Sequence, residues 1–271
     1  MIDSHSFLAD LAHPTCPIPK YAYKGKDQFL KDFQHQITTQ SGCEWVILTQ
    51  VTKDIFDTDF LPAEEYPFSS ISSYNSHLEV LLLKIIASST HAAAAAEFGI
   101  LLDRATSQHE HNLRIYGGCH SAEDGTMVKV PDRVWRPVRL PRDRSRTWPS
   151  VVLEVSFSGT REKLKSDIQS WLGASGGEVK IVLTISIEQQ TPEFVIEQWV
   201  MKDDQAYQEQ RVEITKPGDE IKVSGNLELA FERVLCSPST DEAIISVHAP
   251  ALKDFAEAVW EMQGFLDVER F

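Results

Sequence analysis

From His77 to Gln108 the chain reads HLEVLLLKIIASSTHAAAAAEFGILLDRATSQ. Leu78, Leu81, Leu82, Ile85, Ile86, Phe98, Leu101 and Leu102 recur there at helical spacing, and Ala92 to Ala96 add strong helix formers. This predicts one long helix or two end to end. Short β-like runs follow at Leu113 to Gly118, Thr126 to Trp135 and Ser150 to Ser158. They are separated by the turn-rich CHSAEDG and by a loop whose Pro137 and Pro141 suit an extended connection better than a ladder strand. Three strands in series predict a meander. Ser158-Gly159-Thr160 then offers a cap before REKLKSDIQSWLGAS, where Leu164, Ile168, Trp171 and Leu172 share a helical face and Gly176-Gly177 ends the helix. The run Val179 to Ile187 is apolar enough to be a central strand.

The flanks are less regular. Before His77, Cys43 to Val51 is rich in β-formers, and Leu61 to Ser76, with two prolines and many serines, has the composition of a connection. After Ile187, FVIEQWVM, QRVEITK and IKVSGNLELAFERVL predict strands, and PALKDFAEAVWEMQGF predicts an amphipathic helix with Pro250 near its start and Gly264 near its end. There is no internal repeat and no clean linker. The expectation is one α/β domain over 1–271 with a core at 77–187 (helix, three-strand meander, helix, strand) and decorations at 1–76 and 188–271.

Composition narrows the function classes. With 271 residues and 42% hydrophobic positions the chain can bury a sizeable core. Its 40 acidic against 26 basic residues give a formal charge of -14, a field that repels phosphates at long range and leaves room only for local contact with nucleic acid. Cys16, Cys43, Cys119 and Cys236 lie far apart with no C-x-x-C spacing, which suits reduced, mostly buried thiols. The N-terminus lacks a basic start followed by an apolar run, and no segment approaches the ~20 apolar residues needed to cross a bilayer. A cytoplasmic or nuclear protein, not secreted and without a membrane span, is expected.

Two acids change this picture. Asp132 lies on or at the end of the second strand of the meander, and Glu154 lies inside the third, in the apolar setting Val-Val-Leu-Glu-Val. A carboxylate among buried β-branched neighbours is costly unless something positive or hydrogen-bonding compensates it. Two acids on neighbouring strands can share a Mg²⁺ or Mn²⁺ ion, which commonly uses one or two carboxylates plus the phosphate oxygens of a substrate. With a nearby Lys or Arg to stabilise developing charge, these are the components of phosphodiester hydrolysis.

Pro131-Asp132 in one strand, Glu154 in the next, then a helix and a strand resemble the PD-(D/E)XK nuclease superfamily. The resemblance covers roughly Leu78 to Ile187. The block PSVVLEVSFSGTREKLKSDIQSWLGASGGEVKIVLTISI is similar to a group of fungal proteins of that fold, with an L-x-x-D-x-x-x-W-L helix and a G-x-V-K strand. The resemblance implies a restriction-endonuclease-like core with Asp132 and Glu154 as metal-binding acids. The family's lysine belongs two residues after the glutamate, where this chain has Ser156. In some members it has moved to the following helix. Projected at about 100° per residue with Ile168 at the centre of the buried face, Arg161 falls at roughly 20°, Lys165 at roughly 60° and Lys163 near 140° on the far side. Lys165 is therefore expected as the catalytic cation, with Arg161 a substitute and Lys129 a third option. Glu97 is the candidate for the acid that the family often carries on its first helix.

Six arginines, Arg133, Arg136, Arg139, Arg142, Arg144 and Arg146, crowd the loop between the two acids. Their guanidinium groups match phosphate geometry, so they are the expected nucleic-acid contacts together with Arg161. They can equally pair with the protein's own carboxylates. His109, His111 and His120 with Cys119 have no strict metal-ligand spacing. Gly173 to Gly177 matches G-x-S-x-G, but a nucleophile elbow needs strand before helix, and here the order is reversed. No phosphate-binding glycine loop is present. The expected function is Mg²⁺- or Mn²⁺-dependent cleavage of nucleic acid, DNA rather than RNA. The alternative is an inactive descendant of that fold serving as an interaction module, with a protein partner or a second copy of the chain.

Overall fold

The computed structural model describes residues 18–39, 45–84, 88–107, 113–115, 120–121, 127–157, 161–237 and 243–266. It is a mixed α/β structure whose chain divides into two compact units, Met1–Ala87 with Gly118–Val130 and Ser88–Gly117 with Pro131–Phe271. The division falls inside the expected core at 77–187 rather than at its edges. Residues 1–76, expected as a decoration, belong to a unit with a hydrophobic cluster of its own.

The first unit holds β1 (Lys20–Ala22), α1 (Lys26–Thr39), β2 (Trp45–Thr49), the short α2 (Lys53–Ile55) running into a π turn at Phe56–Phe60, β3 (Ile71–Asn75) and β4 (Val80–Lys84). Its sheet, ordered β1-β2-β4-β3, is completed by β7 (Met127–Lys129) and β6 (His120–Ser121). Strand β4 corrects the expected helix over its first third. The run Val-Leu-Leu-Leu is buried on both faces, Leu81 and Leu83 in one cluster and Val80 and Leu82 in another, and such a run carries no period to separate strand from helix.

Within this unit Tyr74 stacks on Phe56 at 4.0 Å and donates its hydroxyl to the Val51 carbonyl at 3.1 Å. Burial first, and then the charges of Asp57, Glu79 and Asp54, push its hydroxyl up from 10.0 to about 12. A phenol whose folded value lies above its unfolded one contributes stability that is complete below pH 10 and lost as pH rises through about 12. Wild type is therefore expected to lose stability across that window, and Tyr74→Phe to show a shallower decline there. Denaturant midpoints measured from pH 8 to pH 12 check this; parallel curves would contradict it.

The second unit begins with α3 (Ser89–Ser107) and the strands β5 (Leu113–Ile115), β8 (Arg133–Pro137) and β9 (Val151–Ser156), an antiparallel meander in the order β5-β8-β9. Helix α4 (Arg161–Ala174) then crosses to β10 (Ile181–Ile187), which pairs parallel to β9. The expected strand from Thr126 to Trp135 is divided between the two units. Pro131 lacks the N–H that a continuous ladder would need, and Met127–Lys129 pairs in one sheet while Arg133–Pro137 pairs in the other.

Beyond β10 the sheet continues with β11 (Glu193–Lys202), β12 (Gln205–Thr215) and β13 (Lys222–Val223). The last expected strand is instead β13, β14 (Leu227–Ala230) and the short helix α5 (Phe231–Leu235), followed by β15 (Ile244–Val247), which pairs with β14. Helix α6 (Ala249–Gln263) starts with Pro250 in its first turn and ends at Gly264 at φ 78°, as its sequence predicts. One face of the seven-stranded sheet packs Phe98, Leu153, Leu183, Ile196, Phe255 and Trp260 beneath α3 and α6. The other packs Val134, Val152 and Val182 under Leu164, Ile168, Trp171 and Leu172 of α4. Gly176 and Gly177 turn the chain out of α4 at φ 58° and 84°, so the G-x-S-x-G sequence is the helix-ending turn it was read as. Among the described residues no helix is long and apolar enough to cross a membrane.

Candidate functional site

The alternation of β9 places Val152 and Glu154 on the α4 side, and the ladder pairing of Arg133 with Leu153 sets Asp132 opposite Glu154. Both acids sit near the carboxyl end of β9. Glu154 is buried at 7% exposure, and its Oε1 accepts the indole N–H of Trp171 at 2.5 Å. Asp132 caps the end of the ladder. Its Oδ2 accepts the Val155 amide at 2.7 Å, while its Oδ1 meets Nε2 of His91, in the first turn of α3, at 2.8 Å. The alternation that brings Glu154 under α4 thus brings two helices to bear on one pair of carboxylates.

A cation within electrostatic range of this pair is Lys163. Its Nζ lies 2.6 Å from Asp167 one turn along α4, and its side chain is 17% exposed. Burial alone would lower its pKa. The negative charges of Asp167, Glu154 and Asp132 outweigh burial and hold it above the ordinary lysine value. Lys163 therefore stays protonated across neutral pH. Lys165, the expected cation, is exposed. The projection failed because the buried face of α4 is not centred on Ile168: Asp167, at 6% exposure, extends it toward Lys163. A carboxylate and an ammonium one turn apart shield each other at the helix edge, and a reading based on apolar positions leaves both out.

The other expected residues fall elsewhere. The side chain of Arg161 lies outside the described residues, as do His109, His111, Cys119 and the side chain of His120. Lys129 is on β7 in the first unit, opposite Ser73. Glu97, six residues along α3 from His91, lines a hollow with Arg104, His248 and Asp254. Ser156 sits at the end of β9 opposite Ser186 of β10. Of the four cysteines only Cys236 is described; it is a free, partly buried thiol whose pKa burial pushes up.

The arginine cluster divides. Arg133 packs over Gly99 of α3, where a Cβ would meet its Nη1 at 3.0 Å; burial holds the nearby Asp103 carboxyl above its ordinary value, against the lowering effects of the Trp135 hydrogen bond and the Arg133 charge. Arg136 donates to the Arg146 carbonyl. Arg144 is 6% exposed; it donates to the carbonyls of Pro149 at 3.0 Å and Glu178 at 2.5 Å and pairs with the Glu178 carboxylate at 3.3 Å. Arg139, Arg142 and Arg146 are exposed. The loop 138–149 joins the end of β8 to the start of β9, whereas the acids lie at the start of β8 and the far end of β9. A five-residue strand at ~3.4 Å per residue separates loop from acids by roughly 17 Å. The exposed arginines of the loop therefore lie at the opposite end of the hairpin from the acid pair.

Sequence reasoning missed His91 and assigned no role to Asp167 or Trp171. The last two carried a signal, since a carboxylate and a tryptophan four positions apart on the apolar face of a helix need polar partners. Chemically the donor set suits a hard divalent cation, with two carboxylates as cross-strand neighbours and Asp132 reaching solvent at 17% side-chain exposure. Among the described residues no group of three or more His, Cys, Asp and Glu forms a ready cage, so further ligands would have to be other oxygens. In comparisons with known proteins, the chain matches no family model and no curated protein.

Proposed function

We propose that the second unit is a restriction-endonuclease-like domain that hydrolyses phosphodiesters in nucleic acid, DNA rather than RNA, with Mg²⁺ or Mn²⁺. One observation carries the reading: the ladder register sets Asp132 opposite Glu154 at the end of β9, and Lys163 of α4, paired with Asp167 at 2.6 Å, lies within electrostatic range of both acids. Asp132 and Glu154 would hold the metal, which when bound lowers the pKa of a water and screens developing negative charge. His91 and the Val155 amide fix the rotation of the Asp132 carboxylate, and Trp171 fixes that of Glu154. Lys163 keeps its proton and presents it to a non-bridging phosphoryl oxygen or to the attacking water.

A second reading is favoured by the satisfaction of Asp132, both of whose oxygens have protein donors within 2.8 Å. Under it the acids are structural and the unit is an interaction module for a protein partner or a second copy of the chain. Incubation of wild type, Asp132→Ala and Glu154→Ala with single- and double-stranded DNA and RNA in Mn²⁺ or Mg²⁺ separates the two. Metal-stimulated cleavage by wild type, lowered about 10²-fold or more in each variant, is expected. Equal traces of cleavage in all three proteins would leave the second reading in its place.

A further inference from the structure

The arginine loop is built more firmly than a connection between two strands requires. It runs from Pro137 to Val151, where a hairpin commonly needs about 2–5 residues, and connections that long are usually either functional or disordered. This one is fixed. Arg144 ties it to the Pro149 and Glu178 carbonyls and to the Glu178 carboxylate, its amide closes a turn onto the Pro141 carbonyl at 3.2 Å, and the Ser145 hydroxyl accepts the Thr147 amide at 3.1 Å. On this frame Arg139 and Arg142 stand exposed, and the loop forms one wall of an open hollow that is also lined by the exposed Lys180 at the entry to β10. None of these three cations makes an ion pair among the described residues, in a chain with 40 acidic side chains. The carboxylates lining the hollow are Asp143, Glu178 and Glu232, and Glu178 is already held by Arg144, while Arg233 beside them is held by Glu209. What remains is a local excess of positive charge.

We propose that Arg139, Arg142 and Lys180 form a contact for the phosphate backbone of nucleic acid, separate from the acid pair. Guanidinium forks match phosphate oxygens two at a time, and cations carried on a fixed loop lose little freedom on binding. The overall charge of -14 confines such a contact to close range, where exposed side chains can act. The choice of ligand rests on the reading of the second unit as a nuclease domain, but the contact itself needs no metal. Its place defines the substrate. With the loop roughly 17 Å from the acids and successive nucleotides ~3.4 Å apart, the bound strand extends about five nucleotides beyond the bond to be cut.

Fluorescence anisotropy of a labelled DNA duplex of about 30 base pairs, titrated with the full chain in EDTA between about 50 and 200 mM salt, tests it without turnover. The triple variant Arg139→Ala, Arg142→Ala, Lys180→Ala is expected to raise Kd about 10-fold at ~100 mM salt and to reduce the slope of log Kd against log salt by about 2–3, since each phosphate contact contributes ~0.9. A second triple variant, Lys202→Ala, Lys222→Ala, Lys253→Ala, removes the same charge from exposed positions elsewhere in the second unit and is expected to stay within about twofold of wild type, as is Asp132→Ala. All six cations are exposed, so their removal leaves the fold in place. Equal losses in the two triple variants, competition by polyglutamate as strong as by unlabelled duplex, or no binding by wild type would each overturn the contact. If the first triple variant binds and cleaves as wild type does, the contact falls and the acid-pair reading stands. If wild type binds through these three residues yet cleaves nothing, the acid-pair reading falls and the contact stands.

Discussion

Lys163→Met is expected to lower metal-dependent cleavage by about 10²- to 10³-fold, the loss typical when one preorganised donor to a developing oxyanion is removed. Lys165→Met is expected to stay within about twofold of wild type, a contrast that decides between the two lysines. They are two residues apart on one helix, but Lys163 lies in the field of Asp132, Glu154 and Asp167 whereas Lys165 is exposed. The sign of the pKa shift matters here. A lysine whose folded pKa is raised contributes stability that is complete below its ordinary value and lost only as pH rises through the raised one. Wild type is therefore charged at Lys163 throughout any practical assay, and a loss in the variant reports a missing ammonium. Circular dichroism and thermal midpoints must accompany the assay, because Asp167 loses its 2.6 Å partner. Lys163→Arg keeps the charge and is expected to recover part of the activity. If Lys163→Met cleaves as wild type does, the ammonium has no part in the chemistry.

How much of this was legible along the chain depends on whether a residue's surroundings are local. Helix α4 was legible because Leu164, Ile168, Trp171 and Leu172 fall on one face and two glycines end it, all within one short stretch. The acid on β9 was legible because a glutamate among Val, Leu and Val is conspicuous wherever that strand goes. Strand β4 was not, since a run buried on both faces erases the period that would identify it. Nor was the break at Pro131 visible as a passage between units, because the residues that claim Met127–Lys129 lie more than fifty positions earlier. His91 sits in an alanine-rich helix and gains meaning only when a residue 41 positions away arrives at 2.8 Å. Lys163 was within reach of the sequence, had Asp167 been counted as part of the buried face.

The arginine cluster yields the second large effect, and it is one of stability. Arg144→Met is expected to destabilise the second unit by about 1–3 kcal/mol, the cost of leaving buried acceptors without their donor, the Glu178 side chain being 26% exposed. Three of its contacts converge on the chain entering β9 and β10: the Pro149 carbonyl, the Glu178 carbonyl and the Glu178 carboxylate. The methionine would fill most of the volume, so the loss comes from two backbone acceptors and one carboxylate left without their donor. By contrast Arg139→Ala and Arg142→Ala, at exposed positions in the same loop, are expected to change stability by less than about 0.5 kcal/mol each. Urea denaturation of the three variants checks both halves. Salt separates the two kinds of arginine further: a pair with Arg144 only 6% exposed is screened far less than exposed charges are, so the difference between Arg144→Met and wild type should persist from low to high salt. A gap that closes at high salt would mean that Arg144 acts as a surface charge after all. A gap that persists makes the densest run of positive charge in an acidic protein, at that position, part of its architecture, holding a hairpin whose acids lie at the other end.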